Sequence, residues 1–246
     1  MSNGACRIRP TCSASSATDS IQAMEFDLSV WMQRGPYILN GFWQTLSLIA
    51  SVLAISAPLA LMVGLCLVSR SFWLRGIFSA LSWLVRGVPP LIILFGAYYV
   101  LPIALNIRLE SLTAAICGFA LYNTFIFAEV VASGLRAVPK GQHEAIAAIG
   151  IPPFRALRRI ILPQAMPVIV PPYISYATDM VKSTALAGSI GVMELITRAN
   201  QAVVATNRPF EILLGVAIIY GLIDAMLIGI QAWCENHWGK ARRRAS

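Results

Sequence analysis

Between Arg34 and Arg70 the chain carries no charged side chain, and its most apolar part, Ile38 to Val68, is long enough to cross a bilayer. About 20 consecutive apolar residues span a hydrocarbon core roughly 30 Å thick, because a helix rises about 1.5 Å per residue. Four more long, predominantly apolar stretches follow, from about Arg75 to Ala104, Leu112 to Arg136, about Leu162 to Ala187, and Phe210 to Cys234. At 57% hydrophobic and 12% charged, the composition makes bilayer the solvent for most of this chain. Lipid leaves exposed backbone amides without partners, and continuous apolar runs do not suit the alternation of a barrel strand. The expected fold is therefore all-α, a polytopic membrane protein with five transmembrane helices. Prolines and glycines interrupt the second and fourth stretches, and there the helix count stays open.

Basic residues orient such a chain, since Lys and Arg collect in cytoplasmic loops. Arg70, Arg75, Arg136, Lys140, Arg155, Arg158, Arg159, Lys240, Arg242, Arg243 and Arg244 fall on one side, eleven in all. Arg7, Arg9, Arg34, Arg108, Arg198 and Arg208 make six on the other. The excess predicts an amino terminus outside and a carboxyl terminus inside. The net charge of +8 flanks apolar spans and forms no separate basic domain, which argues against a nucleic-acid partner. It suits membrane lipid instead, at about 1 kcal/mol per basic residue.

Of the cysteines, Cys66, Cys117 and Cys234 fall inside proposed spans, and no pair has zinc-site spacing. Cys6 and Cys12 are open to pairing or to remaining free thiols. Residues 1–23 lack the apolar core of a secretory signal and are rich in Ser, Ala and Thr. An alternating apolar segment then begins at Met24, which is the expected natural start. The expected organisation is a flexible tail and interfacial segment over 1–37, a transmembrane unit over 38–238 containing a cytoplasmic loop at 137–162, and a basic tail over 239–246.

That loop is the one place where so oily a chain interrupts itself at length. Lys140 to Ile149 has good helix formers and a small-residue face carrying Ala145 and Ala148, which permits close approach by another surface. Gly150 suits a left-handed helix end, and Pro152 with Pro153 suits the opening of a second short helix. On that helix Phe154, Leu157 and Ile161 recur at helical spacing while Arg155 and Arg159 point elsewhere. Physically this reads equally as an interfacial helix in the headgroup layer or as a projection for a partner.

The spacing E-A-x, three residues, Gly, nine residues, I-x-L-P is carried by Glu144, Ala145, Gly150, Ile160, Leu162 and Pro163. It resembles the hallmark loop of the inner-membrane permease subunits of bacterial ATP-binding-cassette importers, with Ile146 departing from the usual second alanine. "GFWQTL", "RGVPPL", "AEVVASGLRAVPKGQ" and "KSTALAGSIGVMEL" resemble motifs of the polar amino acid branch, with Val88 in place of Thr and Ala185 in place of Ser. The resemblance implies a permease in a bacterial inner membrane, coupled through Glu144, Ala145, Ala148, Gly150 and Pro153 to a cytoplasmic ATPase dimer that binds ATP and Mg. It also implies a second permease subunit, identical or similar, and a periplasmic substrate-binding protein delivering a polar amino acid or related zwitterion such as an opine. No cofactor is expected in this chain.

Ionisable groups within spans are expensive, about 2.5 to 3.5 kcal/mol each near the bilayer centre. Glu129, Asp179, Lys182 and Asp224 are such groups, and with Thr184 of the "KSTAL" stretch they are the candidate substrate-pathway residues. Asp179 and Lys182, three apart, suit an ion pair on one helix face as well as a substrate contact. Asp224 has no basic residue three or four positions away, which leaves a water-filled cavity or a cross-helix bond as its partner. No G-x-x-x-x-G-K-[ST] loop is present, so nucleotide hydrolysis is expected from another subunit. An ion-coupled secondary transporter using the intramembrane acids is the alternative, and His143 and His237, far apart and without H-E-x-x-H spacing, make a metalloenzyme a poor reading.

Overall fold

The computed structural model describes residues 29–243, with side chains through 237. The proposed start at Met24, the Cys6 and Cys12 pair and the last three residues lie outside them. Among the described residues every regular element is helical: α1 (Ser29–Leu67), α2 (Phe72–Gly87), α3 (Pro90–Leu105), α4 (Ser111–Arg136), α5 (Lys140–Ala148), α6 (Pro153–Ile190), α7 (Leu195–Thr206) and α8 (Pro209–Arg243). Helices α1, α4, α6 and α8 are each long and apolar enough to cross a membrane. With the bent pair α2 and α3 counted as one broken span, they supply the five crossings expected.

The break between α2 and α3 has a local cause. Val88 precedes Pro89 and Pro89 precedes Pro90, and a residue before proline is driven out of the α region. Both are extended, with ψ of 132° and 138°, and the helix axes turn by 101°. Two other prolines are met differently, because a π-turn at Gly96–Val100 sits just ahead of Pro102 and another at Leu157–Ile161 sits just ahead of Pro163. Widening the helix there relieves the clash between the proline ring and the preceding turn, so the chain continues without breaking.

Two expectations need correction. Helix α1 opens at Ser29, so residues 29–37 are not a separate interfacial segment. Trp31 pins them to α8 by donating its indole N–H to the carbonyl of Glu211 at 2.9 Å and lying against Gly215. Nor is there an independent second helix in the loop. Pro153 does open a helix, but the chain runs on through the π-turn into α6, and Leu157 and Ile161 pack with Val131, Leu135, Ala165 and Ile169 in the bundle.

Helix α4 is the buried centre: 67% of its most apolar window is shielded, against 11% in α8, which faces outward along most of its length. Lipid tails supply no hydrophobic force between helices, so close packing must come from small residues. A Cβ on Gly64 would lie 2.6 Å from Val131 and 3.1 Å from the carbonyl of Ala128, and Gly134 is pressed as tightly against Ile169. These contacts, one turn apart on α4, draw α1 and α6 onto adjoining parts of its surface, where residues of all three helices pack in one cluster. At one end of the bundle Arg136 donates to the carbonyl of Leu67 at 3.4 Å, closing the last turn of α1 with a cation.

Candidate functional site

At the opposite end, Glu194 precedes α7 and is wholly buried. Its carboxylate accepts from the amides of Ile196 at 2.8 Å and Thr197 at 2.6 Å, from the Thr197 hydroxyl at 2.7 Å and from the Tyr220 hydroxyl at 3.1 Å. Such a cap neutralises a helix N-terminus and satisfies a buried charge together. Gly41 and Thr45 of "GFWQTL" dock this turn onto α1. A Cβ at Gly41 would stand 2.9 Å from the Glu194 carbonyl, and Thr45 accepts the Leu195 amide at 3.1 Å while donating to Gly41.

Between the two ends, a cavity of about 660 Å³ lies among α2, α4 and α6, lined by Trp83, Arg86, Tyr122, Glu129, Ser133 and Tyr176 among others. Glu129 accepts from the Ser82 hydroxyl at 2.9 Å and faces Arg86 at 3.9 Å, a loose ion pair. A smaller cavity of about 130 Å³ shares the walls Tyr122, Ile126 and Tyr176 and reaches Asp179. The fold thus gathers Glu129 and Asp179, fifty positions apart in sequence, along one aromatic-walled groove.

Lys182 sits between two acids, 4.0 Å from Asp179 on its own helix and 3.5 Å from Asp224 across on α8. The cross-helix bond left open for Asp224 is therefore an ion pair with Lys182. It is incomplete, since the second carboxylate oxygen of Asp224 is buried without a hydrogen-bond partner. Thr184 departs from expectation: it is fully buried and its hydroxyl donates to the carbonyl of Val181 at 2.7 Å, so it does not line the groove. Arg86 and Ser82 were absent from the sequence candidates although Arg86 stands in the quoted "RGVPPL". The usable signal was a lone cation inside an apolar run with a glutamate in the next span.

The loop bend takes the form its residues imply. Gly150 has a φ of +66°, the Ile151 amide returns to the Ile146 carbonyl at 3.2 Å, and Pro153 occupies the first position of α6. This is a helix stop in which the left-handed residue lets the last carbonyls be satisfied. No residue of α5 is buried, and Ile149 and Phe154 on either side of the bend are 71% and 73% exposed. The projection carries Glu144, Ala145 and Ala148 clear of the bundle.

Known proteins resemble this chain in sequence and in overall fold. The family described as binding-protein-dependent transport system inner membrane component matches residues 56–240. PatM of Vibrio harveyi, described as a probable amino-acid ABC transporter permease protein, is 30% identical over 220 residues, which is 89% of this chain and 99% of PatM. The L-cystine transport system permease protein TcyB of Bacillus subtilis is 33% identical over 203 residues, covering 82% of this chain and 86% of TcyB. A crystal structure of an amino acid ABC transporter with histidines matches with a TM-score of 0.77 at 25% identity, over 87% of this chain and 100% of that one. The ion-coupled alternative finds no support among these relatives. Matched over most of its length in both sequence and fold, the chain belongs to the family of inner membrane components of binding-protein-dependent transport systems.

Proposed function

We propose that this permease passes a polar amino acid or related zwitterion inward, from a periplasmic binding protein to the cytoplasm. Its amino terminus is periplasmic and its loop bend is cytoplasmic, as the eleven-to-six distribution of basic residues argues. A cytoplasmic ATPase dimer, holding ATP and Mg, docks on the bend through Glu144, Ala145, Ala148, Gly150 and Pro153. A second permease, identical or similar, completes the pathway. The amino-acid class rests on the named relatives and on a groove that offers both signs of charge, Arg86 for a carboxylate, Glu129 and Asp179 for an ammonium.

The observation that carries the docking is the exposure of Ile149 and Phe154 on a projection whose helix buries nothing within its own chain. Large apolar groups held out on a rigid bend serve as anchors for a partner, and such anchors are each worth about 2 kcal/mol or more. The test is site-specific crosslinking from Ala148→Cys in the assembled complex. A product with the ATPase subunit is expected. Labelling of the same cysteine by an impermeant reagent from the periplasmic side would overturn the orientation, and an actively importing complex with no ATPase crosslink would overturn the docking.

A further inference from the structure

At the bundle end that carries Leu67 and Arg136, a cavity of about 440 Å³ opens beneath the first turn of α5. Its lining divides by chemistry. Leu65, Val68, Leu135, Val138, Leu157 and Ile161 are apolar; Arg136, Lys140 and His143 are basic; among the described residues no acid lines it. Among the described residues neither Arg136 nor Lys140 stands within ion-pair distance of a carboxylate. Arg136 uses one N–H on the Leu67 carbonyl, and a guanidinium has five in all. Glu144 lies one turn beyond Lys140 on α5 but outside the lining.

These features narrow the occupant. A soluble anion satisfies the cations but would be set against six aliphatic side chains. A purely apolar ligand covers the floor but leaves the basic groups uncompensated. The cavity also lies where apolar α1 and α4 end and polar α5 begins, which is headgroup depth for spans of this length. A basic pocket between membrane helices at that depth matches an acidic lipid headgroup. We propose that this cavity holds the headgroup and upper acyl segment of one anionic phospholipid per chain, its phosphate on Arg136 and Lys140 and its chains leaving along Val68, Leu157 and Ile161. The lipid would tie the root of α5 to α1, α4 and α6, the elements through which any motion of the bend must pass.

The experiment is native mass spectrometry of the purified, fully assembled complex, exchanged into phosphatidylglycerol or phosphatidylcholine. Phosphatidylglycerol should be retained and phosphatidylcholine lost. Lys140→Gln should lower retention about fivefold and Lys140→Arg should preserve it, as one surface cation predicts. Val68→Trp, which fills the floor and alters no charge, should also lower retention. Equal retention of the two lipids, or undiminished binding to the Lys140→Gln complex, would overturn the proposal. Displacement of the bound lipid by inorganic phosphate would overturn it as well, because the site would then be an anion hole indifferent to acyl chains.

Discussion

Two acids meet at successive turns of α8, and they are treated differently. Tyr220 of α8 completes the set of donors around Glu194, so that a wholly buried carboxylate holds four hydrogen bonds. Asp224, the next turn along, reaches one cation at 3.5 Å and keeps a buried oxygen without a partner. A charge taken out of water is tolerable when its lone pairs are all met and a liability when they are not. Glu194 is therefore architecture, holding α7 against α1. Asp224 retains an unmet demand for a hydrogen bond, and the one cation it reaches is shared with Asp179.

The comparison breaks most decisively at its closed half. Glu194→Ala removes the cap and strands several buried donors, with an expected loss of about 4 kcal/mol, while Glu194→Gln retains one acceptor and loses about 2 kcal/mol. Thermal unfolding of the solubilised complex measures both. Gly41→Val tests the same joint from α1. Its Cβ meets the backbone of Glu194 and Leu195 at 2.9 Å, where no side chain can yield, and about 2 kcal/mol of overpacking strain is expected.

The open half should respond more weakly. Asp224→Asn leaves Lys182 with Asp179, and because Lys182 is 60% exposed the loss of stability should be about 1 kcal/mol or less. Transport should fall more than stability does. A stability loss for Asp224→Asn as large as that for Glu194→Ala would erase the distinction between the two sites.

The sequence made the two sites unequal in another way. Spans and bend were legible because they depend on local chemistry: apolar runs long enough for a bilayer, Gly150 for a left-handed stop, Pro153 for a first turn. The i,i+3 spacing also placed Asp179 beside Lys182. What joins different helices was not legible, because the rotation of each helix is set by its packing. Arg86 meeting Glu129 depends on the 101° turn between α2 and α3, and Lys182 meeting Asp224 on the antiparallel register that also sets Ser175 against Gln231. The early start of α1 was hidden for the same reason, since the partner of Trp31 is a carbonyl 180 positions away. The merging of the loop's second helix into α6 needed a π-turn, which no periodicity of 3.6 announces.

The smallest expected effect on stability falls at the bend, and it sharpens what both acids teach. Phe154 is 73% exposed and joins none of the buried clusters, so Phe154→Ser should change unfolding of the isolated permease by less than about 0.5 kcal/mol. Docking is another matter if this ring is an anchor, because truncating an apolar anchor in a partner's pocket weakens association by about 2 kcal/mol. Binding of the ATPase to the permease, measured at equilibrium in nanodiscs, should then weaken about thirtyfold while the melting temperature of the permease alone stays put. Ser in place of Leu157, three positions on, should give the reverse pattern, since Leu157 packs against the Val131 and Leu135 cluster within the chain. If the two substitutions act alike on both measurements, the bend is one more packed corner of the bundle and not a handle turned outward.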